Sequence, residues 1–384
     1  MRKVCFVTGT RAEYGIMSGL MKRVQEDNEL CLQIIVTNMH LSPEFGNTYK
    51  EIEQDGFHID KKIEMLLSSD TDISTVKSMG LELISIADAY YELDPDLIVI
   101  LGDRYEMLAA AEAALIMKKP IAHLYGGEVT EGAYDDCIRH AITKLSHLHF
   151  TSTEEYRSHV IQMGEQPDRV FYVGALGVDN IINDKFMTRE ELENCLQFSL
   201  GEISLQVTFH PVTMENNTAE EQILQLLNVL ETYSDYRIIF TYPNSDGGGR
   251  IIRKKIDDFV TRHQDRCIAV ASLGKCLYYA TLNNVAAVIG NSSSGLVEVP
   301  SFGIPTLNIG DRQKGRTQGS TIINCLPTEE SIKEALDKVL STEFRTYCKS
   351  KDNPYYKANT LDSIFNKIKN FPLEGLIHKS FYNL

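Results

Sequence analysis

No two of the eight cysteines stand as a CxxC pair; they fall at 5, 31, 137, 195, 267, 276, 325 and 348. That spacing excludes a zinc knuckle and a thioredoxin-type motif. Cys5 and Cys31 lie inside apolar runs, so the thiols are expected to be reduced core residues of a cytoplasmic protein. No apolar run approaches the roughly 20 residues that span a bilayer. The first residues, MRKVCFVTGT, hold two cations and then only five residues before a glycine. They read as a strand, not as the apolar core of a signal segment. Cations are scarce, 38 Lys and Arg against 53 Asp and Glu, for a net charge of −15. This excludes general binding to nucleic acid or to an anionic membrane, but a few local cations still suffice for a small anion. GxGxxG and HExxH are both missing, so neither a dinucleotide fingerprint nor a zinc-binding helix is written here. No short-period repeat or low-complexity tract occurs.

What is present is ordinary for a globular chain: 384 residues, 43% apolar and 24% charged, enough for two domains. Short apolar runs alternate with amphipathic stretches. KVCFVT (3–8), CLQIIVT (31–37), LIVIL (97–101) and PIAHLY (120–125) come first. LQVTFH (205–210), RIIFTY (237–242), CIAV (267–270), AAVIG (286–290) and PTLNI (305–309) follow. Near-continuous apolar runs mean strands buried on both faces, hence parallel sheets covered by helices. The expected fold class is α/β, two doubly wound Rossmann-like domains facing a central cleft. The boundaries are set at 1–178 and 179–355, with 356–384 returning as a helix onto the first domain.

Ligands of such sheets lie beyond the carboxyl ends of the strands. The first of those loops, Thr8-Gly9-Thr10-Arg11, offers a tight turn, a helix cap and a cation. In Leu101-Gly102-Asp103-Arg104, Asp103 is placed to act as a base, to orient a hydroxyl or to cap the next helix. His123-Leu124-Tyr125-Gly126-Gly127-Glu128 brings backbone close to a ligand. After it, Asp136, Arg139 and His140 share one helix face. Glu128 and Asp135 can divide acid and base work. His123, His140, His147 and His149 match no metal-ligand spacing and read as core or supporting histidines.

In the second half His210, fixed by Pro211, suits proton transfer. The loop Tyr242–Arg250 is glycine-rich with a cation, as in a lid. Gly290-Asn291-Ser292-Ser293-Ser294-Gly295 runs from a strand into a helix and reads as a phosphate cradle, with Glu298 one turn on to accept from a ribose diol. The loop 310–316 puts Arg312, Lys314 and Arg316 within five residues, a local basic patch fit for a pyrophosphate.

Taken in order, TGTRAEYG, GDRYE, HLYGGE, DDCIRHAITKLSH, FHPVT, YPNSDGG, GNSSSG and GDRQKGR resemble the hydrolysing UDP-N-acetylglucosamine 2-epimerases of sialic-acid biosynthesis. The resemblance covers nearly the whole chain and implies the two-domain GT-B arrangement with a UDP-sugar between the domains. It assigns diphosphate and ribose to Gly290, Asn291, Ser292, Ser293 and Glu298. Further substrate contacts fall to Arg11, Arg104, Asn244 and Arg312, and acid/base work to Asp103, Asp135 and His210. Many members carry HxEGGE; here Tyr125 takes the place of the first Glu. A phenol is a poor base but can donate a proton, so removal of the C2 proton passes to Glu128 or Asp103.

The implied reaction converts UDP-N-acetylglucosamine and water to N-acetylmannosamine and UDP, by C2 deprotonation with loss of UDP and then addition of water. It needs no cofactor and no metal. The implied assembly is a homodimer or homotetramer in the cytoplasm, without nucleic-acid or membrane partners. Alternatives are the same chemistry on a UDP-2,4-diacetamido-trideoxyhexose or GDP-N-acetylglucosamine, a non-hydrolysing epimerase, a GT-B glycosyltransferase, and a non-catalytic nucleotide-sugar sensor.

Overall fold

A computed structural model describes residues 1–350 and 352–384. The chain divides into two compact units. The first comprises 1–128, 135–180 and 355–384; the second comprises 129–134 and 181–354. The small piece 129–134 leaves the first unit directly after Glu128 and the chain returns at Asp135.

The first unit holds seven strands: β1 (Arg2–Thr8), β2 (Leu30–Thr37), β3 (Lys61–Ile63), β4 (Leu97–Leu101), β5 (Ile121–Leu124), β6 (Leu148–Thr151) and β7 (Val170–Tyr172). They form one parallel sheet in the order β3-β2-β1-β4-β5-β6-β7. β1 shows why its run is apolar throughout. Val4 and Phe6 pack on one face with Met17, Leu20 and Val24 of the helix Arg11–Gln25 and with Ile364 and Ile368 of the helix Thr360–Asn370. Cys5 and Val7 pack on the other face with Ile86, Tyr90, Met107 and Ala110. Alternate residues thus serve two cores, and each fully buried large side chain contributes about 1.5–3 kcal/mol.

The second unit holds β8 (Ser204–Thr208), β9 (Arg237–Thr241), β10 (Cys267–Val270), β11 (Ala287–Gly290), β12 (Thr306–Ile309) and β13 (Ile322–Cys325). This sheet is also parallel, in the order β10-β9-β8-β11-β12-β13. The doubly wound α/β class expected from the sequence is therefore present twice. In each sheet the chain direction of winding reverses once, between β1 and β4 and between β8 and β11. Such reversals open a crevice at the strand ends.

Gly290, the last residue of β11, fits where no other residue does. Its φ is +134°, and a Cβ there would lie 1.8 Å from the Thr208 carbonyl oxygen. The thiols depart from expectation. Cys5, Cys267 and Cys348 are buried, but Cys137, Cys195 and Cys276 are exposed, because each sits on the solvent side of a surface helix. Among the described residues no helix is long and apolar enough to cross a membrane.

Candidate active site

The winding reversals place the candidate residues. In the first unit, β1 runs into Gly9, Thr10 and Arg11, and β4 runs into Gly102, Asp103 and Arg104. Thr10 caps the helix Arg11–Gln25 in a capping box: its hydroxyl accepts from Glu13 N–H, and Glu13 Oε2 accepts from Gly9 and Thr10 N–H at 2.8 and 3.2 Å. Arg11 Nε is paired with both oxygens of Glu51, at 2.8 and 2.6 Å. Arg104 Nε donates to Glu106 at 2.7 Å, and Glu106 is fully buried. Glu106 also lies against Glu13. Burial, and then the Glu106 charge, push the Glu13 carboxyl up to about 8.

Asp103 does not cap the next helix; that position belongs to Arg104, without a side-chain bond. Asp103 instead accepts from Arg139, whose Nε lies 3.0 Å from Oδ2 and whose Nη2 reaches the same oxygen. Arg139 is 1% exposed. Its Nη1 donates to the Glu128 carbonyl at 2.8 Å and to Asp136 at 3.3 Å. One guanidinium therefore ties the strand ends of β4 and β5 to the helix Asp135–Leu145 that opens with Asp135. The Glu128 side chain is buried and accepts from Ser152 Oγ at 2.7 Å. The preceding Gly127, at φ +81°, would place a Cβ 2.3 Å from the Tyr156 carbonyl oxygen.

Tyr125 is the positive-φ residue at the end of β5. Its hydroxyl accepts from Gly177 N–H at 3.0 Å, so this phenol is held in place. His123 is fully buried and donates from Nε2 to the Gly102 carbonyl at 2.7 Å. Burial pushes it down to about 3, so it is a neutral brace beneath the Asp103 loop. His149 braces in the same way, against Glu165 at 3.1 Å. His140 lies 3.4 Å from Asp136, and desolvation lowers it below its ordinary value. Among the described residues no three His, Cys, Asp or Glu side chains are grouped to hold a metal ion.

The second unit gathers the others. β8 ends two residues before His210, and β11 ends one residue before Asn291. The Asn291 side chain mimics a strand partner: Oδ1 accepts from His210 N–H at 2.7 Å and Nδ2 donates to the His210 carbonyl at 2.8 Å. Asn244 N–H donates to His210 Nδ1 at 3.4 Å. In neutral imidazole that puts the proton on Nε2. The Asn244 Oδ1 is buried and has no hydrogen-bond partner. The Asn291 carbonyl in turn accepts from Arg312 Nη1 at 3.3 Å and Gln313 Nε2 at 3.0 Å. Arg312 and Arg316 are both mostly buried, so the basic loop is built into the structure rather than loose at its surface.

Ser292 and Ser293 lead into Ser294–Val297, a single helical turn that continues as a 3-10 turn at Val299–Phe302. With so short a helix, the donors for an anion are local hydroxyls and N–H groups rather than a macrodipole. Ser294 Oγ meets Tyr278 Oη at 2.5 Å. Desolvation raises Glu298 above the ordinary carboxyl value, against the hydrogen bond from Ser294.

So Arg11, Asp103, Arg104, Tyr125, Glu128 and Asp135 belong to the first unit. His210, Asn244, Gly290, Asn291, Ser292, Ser293, Glu298 and Arg312 belong to the second. Sequence reasoning placed Arg139 on a helix face with Asp136 but did not give it a role. The signal was there: an arginine at i+3 from an aspartate, pointing inward on an amphipathic helix. Ser152 and Gln313 carried no such signal. The piece 129–134 was also missed. It is fastened within the second unit by Glu131 N–H to the Lys314 carbonyl (2.9 Å) and by Tyr134 N–H to Thr213 Oγ1 (3.1 Å).

Known proteins resemble this chain over its whole length. A hydrolysing GDP/UDP-N,N'-diacetylbacillosamine 2-epimerase from Campylobacter jejuni is 42% identical over 384 residues, covering 100% of this chain and 99% of its own. The polysialic acid biosynthesis protein P7 of Escherichia coli is 38% identical over 100% of this chain and 98% of its own. The fold is shared with the crystal structure of UDP-GlcNAc 2-epimerase from Neisseria meningitidis bound to UDP-GlcNAc, at TM-score 0.78 and 18% identity, over 95% of this chain and 99% of that one. The family model for UDP-N-acetylglucosamine 2-epimerase matches residues 22–369. The chain belongs to the UDP-N-acetylglucosamine 2-epimerase family, as an enzyme with hydrolysing relatives.

Proposed function

We propose that this protein hydrolyses a nucleoside-diphosphate 2-acetamido sugar with inversion at C2. The observation that carries the reading is the web around Arg139, which holds Asp103 and the backbone of Glu128 at adjacent strand ends. The Asp103 oxygen that accepts from Arg139 is committed to that pair. That suits Asp103 to orient a sugar hydroxyl. Glu128, buried against a serine hydroxyl, is the better candidate for the C2 proton.

The second unit supplies the leaving-group end in this account. Gly290, Asn291, Ser292, Ser293 and Arg312 hold the diphosphate, and Glu298 accepts from the ribose. Arg11 and Arg104 are proposed as further substrate contacts. Donors placed where charge develops lower the barrier to departure of the nucleotide. The C–O bond to the diphosphate breaks as the C2–H pair forms the double bond of a 2-acetamidoglycal. Water then adds its hydroxyl at C1, and a proton returns to C2 from the opposite face. His210, with its proton on Nε2, and Asp135 handle the water and leaving-group protons.

As to the sugar, the 42% identity to a diacetylbacillosamine enzyme over the full length supports a UDP- or GDP-linked 2,4-diacetamido-trideoxyhexose. The tyrosine at 125 in place of the family glutamate fits a changed sugar. UDP-N-acetylglucosamine, giving N-acetylmannosamine for sialic-acid synthesis, is the second reading, and the 38% relative named for polysialic acid biosynthesis favours it. The enzyme works without a cofactor as a homodimer or homotetramer in the cytoplasm, in keeping with eight free thiols. Incubation with a panel of UDP- and GDP-sugars, followed by NMR for free nucleotide and for C2 configuration, tests the reading. One sugar released as its C2 epimer supports it. Binding without turnover across the panel contradicts it.

A further inference from the structure

Three carboxyl groups from three different helices are buried together where β1 and β4 end. Glu13 belongs to the helix Arg11–Gln25, Glu82 to the helix Asp72–Leu93 and Glu106 to the helix Tyr105–Ile116. Glu82 and Glu106 are wholly inaccessible and Glu13 nearly so. Glu106 is seated against the β1 turn: a Cβ on Gly9 would lie 2.5 Å from its Oε1. Its charge is also the one that acts most strongly on both Glu13 and Glu82. Among the described residues, Glu13 Oε1, Glu106 Oε2 and both oxygens of Glu82 have no hydrogen-bond partner. Thr37 lies beside Glu82, but its hydroxyl donates to the Ile63 carbonyl at 3.1 Å.

The cation acting on this group is Arg104, whose Nε donates to Glu106 at 2.7 Å. Three ionised carboxylates against one guanidinium would leave negative charge uncompensated away from water, which is costly. Protons on the orphaned oxygens remove that charge, and each carboxylic acid then has a donor for its neighbour. We propose that Glu13, Glu82 and Glu106 share protons to act as a single counter-charge to Arg104, and that loss of one of those protons weakens binding of an anionic substrate at Arg104. This deepens the reading of Arg104 as a substrate contact and rests on it. The three are positioning residues, since they act through the arginine.

Glu106 carries the charge of the pair. Burial, and then Glu106, raise Glu82 well above the ordinary carboxyl value and Glu13 to about 8. Glu13 is therefore the member that ionises on the alkaline side. The other titratable groups around the β1 turn are engaged elsewhere. His40 bridges Thr8 Oγ1 and Thr48 Oγ1 at 3.1 and 2.8 Å, Arg11 is paired with Glu51, and the Tyr14 hydroxyl donates to Asp55. A second negative charge beside Arg104 opposes a bound diphosphate, and by linkage a bound diphosphate opposes that ionisation.

Infrared difference spectroscopy and calorimetry with UDP test this, with urea denaturation confirming that each variant is folded. At neutral pH the wild type minus Glu82→Gln is expected to show the carbonyl stretch of a protonated carboxyl. UDP affinity of the wild type is expected to fall roughly fivefold between about pH 7 and 9. Glu13→Gln keeps the capping box, which accepts glutamine, and is expected to hold UDP affinity flat over that range. The same comparison cancels the titration of UDP itself. Arg104→Gln is expected to bind UDP more weakly at neutral pH and to lose the alkaline fall.

A difference spectrum without that carbonyl stretch overturns the sharing of protons. Wild-type affinity that stays flat, or that falls equally in Glu13→Gln, overturns the coupling to Arg104 when Arg104→Gln has weakened UDP binding. An Arg104→Gln chain that binds UDP as tightly as the wild type overturns the underlying contact instead. Neither measurement needs turnover, so failure of the hydrolase reading shows separately.

Discussion

Arg139 donates twice to a single oxygen of Asp103, from Nε at 3.0 Å and from Nη2, while its third nitrogen holds the Glu128 carbonyl at 2.8 Å. Two candidate catalytic groups on different strand ends are therefore positioned by one buried side chain. Removing one partner of a buried ion pair typically costs roughly 3–5 kcal/mol, so Arg139→Ala is expected to lower the melting temperature sharply. Arg139→Lys keeps the charge but loses the fork. It should retain UDP affinity while kcat falls roughly 100-fold, the penalty for small misplacement of reacting groups. Unchanged kcat in the lysine variant would remove Arg139 from the account.

Asn291 links His210 to the basic loop, through its side chain on one side and its carbonyl on the other. Asn291→Ala strands the His210 N–H and carbonyl and leaves the loop bonds in place. We expect UDP binding, measured by calorimetry, to weaken roughly tenfold, the scale of one or two lost hydrogen bonds near a charged ligand. Arg312 and Gln313 should remain ordered.

Gly290→Ala tests the close approach of β11 to β8. A methyl 1.8 Å from the Thr208 carbonyl oxygen at φ +134° cannot be accommodated without moving the strand. The expected loss is roughly 3 kcal/mol of stability, read by urea denaturation, with loss of UDP binding.

Buried titrating groups make stability depend on pH in two opposite senses. Burial holds His40 and His123 down to about 3 and His147 to about 4. In the unfolded chain each takes up a proton near 6.5, so between these values the unfolded state binds more protons. Their contribution is full above pH 6.5 and is lost as pH falls, by at most about 1.4 kcal/mol per pH unit for each histidine. Glu13, pushed up to about 8, acts the other way: the folded state keeps a proton that the unfolded chain releases, so stability falls as pH rises through that range. Urea midpoints should therefore fall on both sides of neutrality. Glu13→Gln should flatten the fall between about pH 6.5 and 8 and steepen the acid side above about pH 4.5, where the Glu13 carboxyl opposes the histidines.

The long strands were legible because burial on both faces writes an unbroken apolar run, as in LIVIL for β4. β3 and β7 escaped notice at three residues each, and the lysines of β3 look like loop. β13, with INC at its end, lies at a sheet edge and is only partly buried. Loops carrying Asp103, His210 and Asn291 were legible because a winding reversal must present them. The partners that fix those loops were not. Arg139 and Ser152 act through long-range contacts that no local spacing encodes, and the division at 129–134 depends on docking to the 311–315 loop within the second unit. The helix 72–93 was not singled out from the sequence, and its buried side carries serine and glutamate, which local patterning would place on the solvent side.

Elimination of the nucleotide by loss of the C2 proton is the central claim, and it leaves an isotopic mark. Turnover in heavy water, with the released sugar examined by proton NMR and mass spectrometry, should give product carrying one deuterium at C2 with inverted configuration. Product that retains protium at C2 would contradict the account.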